Sequence, residues 1–423
     1  MDAWLARAAR LRPDRAALIG SGAPVSYADL YAQAAAVAGG LRARGIGRGD
    51  QVALALPSEQ LVVALHGCLL IGAVAVPVDL RLRESERAAR TDGAALVLEQ
   101  LVSGEPVSPD PIDPQATATL MFTSGTTAGP KPVPLSYENW LFNALGSALA
   151  LGLDERETWL CPMPLAHVGG LSIQIRSAIY ATTVMLHDRF DTDRALRALM
   201  DPDAGVTLVS LVPTMLARLL DAGLCRPPTL RRALLGGGPI APALLQRARD
   251  AGVTVSPSYG MTEACSQIAT DGVPLLGVEV QLAADSEILV RGQTVSAAAL
   301  EPDGWLHTGD LGAFDERGRL VIAGRKADTI VSGGENVAPV EVESILLEHP
   351  GVADAAVFGR PDAEWGEVVV AQVVPAAGAT VSAEELRAHC AARLAPFKVP
   401  KRVELSAELP RGVTGKLLRR ELR

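Results

Sequence analysis

Short apolar runs alternate with helix-period stretches over the first three quarters of the chain. Ser26-Tyr-Ala-Asp29 has the form of a capping box with Asp in place of Glu or Gln. Leu30, Ala34, Val37 and Leu41 then recur at helical spacing as far as Gly45, predicting a helix with one buried stripe. Gln51 to Leu56 is a strand-like run stopped by Pro57, a helical run starts near Glu59, and Ala73 to Pro77 is strand-like again. The same order returns at Thr207 to Val212, at Arg232 to Leu235 before a glycine triplet, and at Val253 to Val255, each followed by helical sequence. Such alternation implies α/β layers with a largely parallel sheet.

The pattern changes near the end of the chain. Val352 to Phe358 and Val368 to Val374 are strand candidates, and Val340 to Leu347 and Ser382 to Leu394 are helical, which describes a compact α+β unit. A boundary is expected in the polar turn at Gly324-Arg325-Lys326, dividing the chain into 1–324 and 325–423. A length of 423 residues favours such a division, because one core rarely serves so long a chain.

Composition narrows the functional classes. A 48% hydrophobic and 21% charged chain is globular, and its net charge of -9 provides no basic face for nucleic acid. Any anion must therefore be held locally. The opening MDAWLARAARLRPDR lacks a signal-peptide core, and His66 and Pro77 interrupt the most apolar stretch, Leu61 to Val78. A cytoplasmic protein without membrane insertion is expected; a homo-oligomer is compatible with the composition but not required by it. Five separated cysteines with no Cys-x-x-Cys pair predict reduced core thiols.

Candidate chemistry begins at Thr123-Ser-Gly-Thr-Thr-Ala-Gly-Pro-Lys131, after the apolar Thr119 to Phe122. The hydroxyls of Thr123, Ser124, Thr126 and Thr127, with backbone N–H groups around Gly125, suit an anion, and Lys131 adds a positive charge. Phosphate is the natural guest. The spacing departs from Gly-x-x-x-x-Gly-Lys-Ser/Thr, which disfavours a Walker-type NTPase. An ordinary polar turn is the alternative.

Together with Tyr259-Gly-Met-Thr-Glu263, Trp305-Leu-His-Thr-Gly-Asp310, Gly324-Arg325 and Pro410-Arg-Gly-Val-Thr-Gly-Lys416, this segment resembles the adenylate-forming superfamily of acyl-CoA synthetases, adenylation domains and luciferases. The motifs occur in the superfamily's order and span nearly the whole chain. The resemblance implies a large N-terminal domain of layered α/β sheets and a smaller, mobile α+β C-terminal domain. It also implies ATP, Mg²⁺ and coenzyme A as co-substrates and cofactor, and a small-molecule carboxylic acid as substrate. Attack of a carboxylate on the α-phosphate of ATP brings anions together, so cations and alignment should supply most of the catalysis.

By resemblance, Lys416 is the cation at the attack site and Glu263 holds Mg²⁺ with Thr262 beside it, while Gly260 and Met261 contact ATP. Tyr259 and the turn containing Gly237, Gly238 and Pro239 would form the adenine slot, and Asp310 and Arg325 would meet the ribose. His167, in Pro164-Leu-Ala-His-Val-Gly-Gly170, would have a positioning role near acyl group, phosphate and thiol; a satisfied core histidine is the alternative. Gly333 and Gly334, in Ser332-Gly-Gly-Glu-Asn336, would line the pantetheine tunnel.

Within the superfamily, Leu234 to Pro239, Ser258 to Ile268 and Ile330 to Asn336 are similar to the 2-succinylbenzoate–CoA ligases of menaquinone biosynthesis. That substrate carries a second carboxylate, which Arg176 is the candidate to bind; Ser258 and His167 are further candidates for substrate binding. Leu171, Ile175 and Ala178 mark one face of the helix expected after Gly170, and Ile173, Arg176 and Tyr180 an adjoining one. A solvent-facing arginine is the alternative. Another aryl- or acyl-CoA ligase, or a non-catalytic nucleotide-binding homologue, would share parts of this pattern. Ala128 and Pro132 replace familiar glycines, Ala166 stands where an aromatic residue is common, and Ala327 occupies the usual hinge. Trimmed surface loops are expected around Thr270 to Gly272 and Val295 to Asp303.

Overall fold

The computed structural model describes residues 2–123, 131–362, 365–411 and 417–422. Ser26 caps the helix Tyr27–Arg42 by accepting the Asp29 N–H at 3.1 Å. That helix buries Leu30, Ala34, Val37 and Leu41, the stripe its spacing predicts. The next strand, Gln51–Leu54, pairs in parallel with Val74–Pro77 and Leu96–Leu98, and Ser58–Leu70 forms the intervening helix. Thr117–Thr123 joins Val74–Pro77 in parallel and pairs antiparallel with Lys131–Ser136, completing a five-stranded sheet.

A nine-stranded sheet follows. Its centre, Val255–Met261, Arg232–Leu235, Leu208–Leu211, Thr158–Cys161 and Thr183–Leu186, is parallel, while antiparallel strands close its edges. Residues of both sheets and of the helices Tyr27–Arg42, Ser58–Leu70, Tyr137–Leu151 and Val168–Tyr180 share one apolar core. A four-stranded antiparallel sheet, Val278–Leu282 to Leu320–Arg325, ends this larger domain's share of strands.

The C-terminal domain is built on a second five-stranded sheet whose longest members are Val352–Asp362 and Gly366–Pro375. The helices Pro339–Leu347 and Ala383–Ala391 contribute Val342, Leu346 and Leu386 to its separate core. The architecture is thus mixed α/β, with a larger N-terminal and a smaller C-terminal domain.

Several local expectations shift. The strand expected at Val253 begins at Val255, because Val253 hydrogen-bonds back to Ala248 at the helix end. The last long helix stops at Ala391 rather than Leu394. The trimmed segment at Thr270 is a hairpin turn in which Asp271 and Gly272 both have positive φ, the conformation a two-residue turn requires. Four cysteines are buried, but Cys225 is exposed and so is not a core thiol. Among the described residues, no helix is long and apolar enough to cross a membrane.

Candidate active site

Parallel strands aim their C-terminal ends at one edge of a sheet, where loops can gather side chains. The segments singled out in the sequence emerge there. Thr158–Cys161 leads to His167, Arg232–Leu235 to the glycine triplet, and Val255–Met261 carries Tyr259 to the turn at Thr262. Thr123 and Lys131 face each other as antiparallel partners. Ser124, Gly125, Thr126 and Thr127 lie between them, outside the described residues.

The glycines explain how closely these strands approach. A Cβ on Gly260 would stand 1.6 Å from the Ser266 carbonyl oxygen, and one on Gly236 would stand 2.9 Å from that of Ser258. Gly237 has φ +79°, while Gly238 lies against Pro213. Packing alone therefore requires a glycine at 260, and the triplet brings backbone up to Ser258.

Tyr259, Asp310 and Arg325 meet. The Tyr259 hydroxyl donates to Asp310 Oδ2 at 2.8 Å, and Arg325 Nε pairs with Oδ1 at 2.9 Å from the neighbouring strand. Burial, reinforced by the Asp310 charge, pushes the Tyr259 phenol upward, so it stays a proton donor. A carboxylate offers about four lone-pair sites, so these two contacts leave acceptor capacity for a diol.

Glu263 sits in the turn Thr262–Ala264, with Met261 as the residue before it. Its backbone oxygen accepts the Ser296 N–H at 2.8 Å, and Ser296 Oγ donates to Pro134 O at 2.6 Å. This ties the turn to the strand Lys131–Ser136. The Glu263 carboxylate is half-buried and makes no hydrogen bond or ion pair among the described residues, which fits a hard-cation ligand. No described cluster of three His, Cys, Asp or Glu side chains could hold a metal, so phosphate and water oxygens would have to complete the shell.

His167 precedes the helix Val168–Tyr180. Its Nε2 is buried without a hydrogen bond, 4.0 Å from Asp79 Oδ2. Arg81 grips Asp79 through two nitrogens, at 2.9 Å and 2.5 Å. Burial lowers the His167 pKa, against the opposing pull of Asp79, so the neutral ring prevails at neutral pH.

Arg176 is 1% exposed, which excludes the solvent-facing reading. Both helix faces around it are buried, and it donates to Asn143 and lies over Trp159. Gly333 and Gly334, with φ +61° and +85°, make the two-residue turn of a hairpin, and Gly333 lies against the Trp365 ring. Lys416 lies outside the described residues. Its flanks are anchored: Arg411 pairs with Asp354 at 2.6 Å, and Arg419 pairs with Glu343 at 2.6 Å and Asp328 at 3.1 Å.

Sequence reading missed Asp79, Arg81, Asn143 and Ser296. Asp79 had a usable signal: a carboxylate just past the apolar run Ala73 to Val78 sits where a parallel strand ends. Asn143 had none.

The Tyr259, Asp310 and Arg325 cluster, beside the loops that leave the parallel strands, suits the ribose of a nucleotide, as the class of adenylate-forming enzymes requires. The AMP-binding enzyme family matches residues 5–98 and 90–297, and the AMP-binding enzyme C-terminal domain matches 341–416; the chain belongs to this family. The 2-succinylbenzoate–CoA ligase of Bacillus licheniformis is 39% identical, with 99% of this chain and 98% of the relative covered. The o-succinylbenzoate CoA synthetase of Bacillus subtilis, solved with its acyl-adenylate intermediate, has 37% identity and a TM-score of 0.92, covering 100% of this chain and 98% of that one. A double mutant of the same enzyme bound to a CoA product analogue has 38% identity over the same coverage but a TM-score of 0.74.

Proposed function

We propose that this chain is an ATP-dependent carboxylate–CoA ligase that converts 2-succinylbenzoate to its CoA thioester through an acyl-adenylate, as a step of menaquinone biosynthesis in the cytoplasm. The observation that carries this reading is the meeting of Tyr259, Asp310 and Arg325 in a chain similar end to end to ligases of that name. In the first step a carboxylate oxygen of the substrate attacks the α-phosphorus and pyrophosphate leaves. In the second, the CoA thiolate attacks the acyl carbon and AMP leaves.

Each residue's part follows from its chemistry. Asp310 accepts from the ribose hydroxyls, with Arg325 and Tyr259 holding it in place. The hydroxyls and N–H groups of 123–127, with Lys131, hold the phosphates, and the 237–239 turn lies along the base. Glu263 would hold Mg²⁺, which when bound neutralises phosphate charge. His167, neutral and with the Asp79 carboxylate nearby, positions the acyl group; Ser258 and Arg176 hold the acid, Arg176 at its ring carboxylate. Lys416 brings positive charge to the attack site, and Gly333 and Gly334 let pantetheine pass close to backbone.

Ion pairs on either side of Ala327 support a division of the chain in this polar turn, about two residues beyond 324/325, since Arg325 still belongs to a strand of the N-terminal sheet. Lys326 reaches Asp285 at 2.6 Å and Glu287 at 2.9 Å, whereas Asp328 pairs with Arg419. The drop in TM-score from 0.92 to 0.74 between two states of one relative supports a C-terminal domain that turns between the steps.

The direct test is CoA-dependent pyrophosphate release across a panel of aromatic and aliphatic acids. 2-Succinylbenzoate should give the highest kcat/KM; a better monocarboxylic acid would overturn the assignment. Lys416→Ala should lose acyl-adenylate formation by roughly a hundredfold or more yet still turn supplied adenylate into thioester. Equal loss of both steps would remove Lys416 from the attack site.

A further inference from the structure

A buried guanidinium keeps its proton, so its charge must be met by something. Around Arg176 that something is not an acid: it makes no ion pair with a carboxylate among the described residues. Nε and Nη2 both donate to Asn143 Oδ1, Nε at 3.1 Å, and Cζ stands 5.7 Å from the Trp159 ring centre. Nη1 makes no hydrogen bond among the described residues.

Asn143 is itself fully buried, and its Nδ2 donates to Gln267 O at 3.4 Å. Trp159 is fixed in turn by donating to Ser210 Oγ at 3.0 Å. The amide oxygen is thereby directed at Arg176. Aspartate has the same shape and could offer the same acceptor, but it would close an ion pair inside the protein. Asparagine fixes the fork while leaving its charge uncompensated, and the Trp159 face supplies only a weak electrostatic counterpart.

We infer that Asn143 is a specificity-determining positioning residue: it holds Arg176 oriented but electrically open, so that a second carboxylate on the substrate completes the pair. This rests on Arg176 being the ring-carboxylate partner. An acid lacking that group would leave the guanidinium uncompensated, so the preference for a dianion is built into the neutrality of residue 143.

The measurement is the ratio of kcat/KM for 2-succinylbenzoate to that for 4-oxo-4-phenylbutanoate, the same acid without its ring carboxylate. Asn143→Asp should lower this ratio about tenfold or more, because the new carboxylate competes for Arg176. Asn143→Ser, neutral and still an acceptor, should keep it within about threefold. A ratio unchanged in Asn143→Asp but lowered in Arg176→Ala overturns the role of Asn143 and leaves the reading of Arg176 standing. A ratio unchanged in both overturns that reading and the inference with it. Equal losses in the Asp and Ser variants would overturn the charge argument. Should the Asp variant fail to fold, thermal shifts of the unaltered enzyme decide: 2-succinylbenzoate should raise Tm more than the monocarboxylate at equal concentration, and equal shifts overturn the inference.

Discussion

Asp310 and Arg176 are both charged and nearly buried, yet the molecule treats them in opposite ways. Asp310 sits on a strand whose neighbour presents Arg325, and Tyr259 donates from a third strand, so its charge is met before any ligand arrives. Among the described residues, Arg176 meets only an amide oxygen and an aromatic face. His66 shows a third solution: it is 3% exposed, and burial pushes its pKa down to about 4, so it carries no charge at neutral pH. A nucleotide common to a whole family can be met by a site finished in advance. A particular acid is better recognised where the protein leaves one charge for it to complete.

The comparison can be broken most strongly at Asp310. Asp310→Ala should cost about 3 kcal/mol in kcat/KM for ATP, roughly a hundredfold, because it strands Tyr259 and Arg325 as well as removing the acceptor. Unchanged ATP kinetics would show that the ribose is held elsewhere.

His66 sharpens the contrast through stability. Its folded pKa lies below the unfolded value, so it contributes no pH dependence above about 6.5. As pH falls from there toward 4, the unfolded chain binds a proton that the folded chain refuses, and stability falls. Between pH 6.5 and 5 the loss should approach about 2 kcal/mol. His66→Gln should flatten that part of the curve in denaturant titrations, and an unaltered slope would place the acid sensitivity in other groups.

Arg325 should give the smallest effect. Its side chain is 45% exposed, so the pair with Asp310 is screened by water. Arg325→Ala should raise KM for ATP by about fivefold or less, near 1 kcal/mol, with Tyr259 still holding Asp310. A loss as large as that of Asp310→Ala would mean the guanidinium itself bears on the nucleotide.

Local pattern carried much of this protein. The Ser26 cap, the buried stripe behind it and the strand Arg232–Leu235 all lie where spacing predicts them. Tyr259, Asp310 and Arg325 were legible as motif residues, and the structure adds that they touch. Arg176 was legible as a candidate, but not its burial. Helical periodicity separates one face from another only when one of them meets water, and on Val168–Tyr180 both are covered.

The sequence by itself determined the alternation of strands and helices, the division into a larger and a smaller unit, and the set of side chains suited to phosphate, diol and carboxylate. Those rest on periodicity and residue chemistry, which act over a few positions. Only the tertiary structure decided that Asn143 faces Arg176 across 33 residues, that Asp79 stands behind His167, and that Ser296 ties the Glu263 turn to its neighbouring strand. These pairings depend on how helices seat between two sheets, and no local preference of either partner encodes which distant side chain will fill the space beside it.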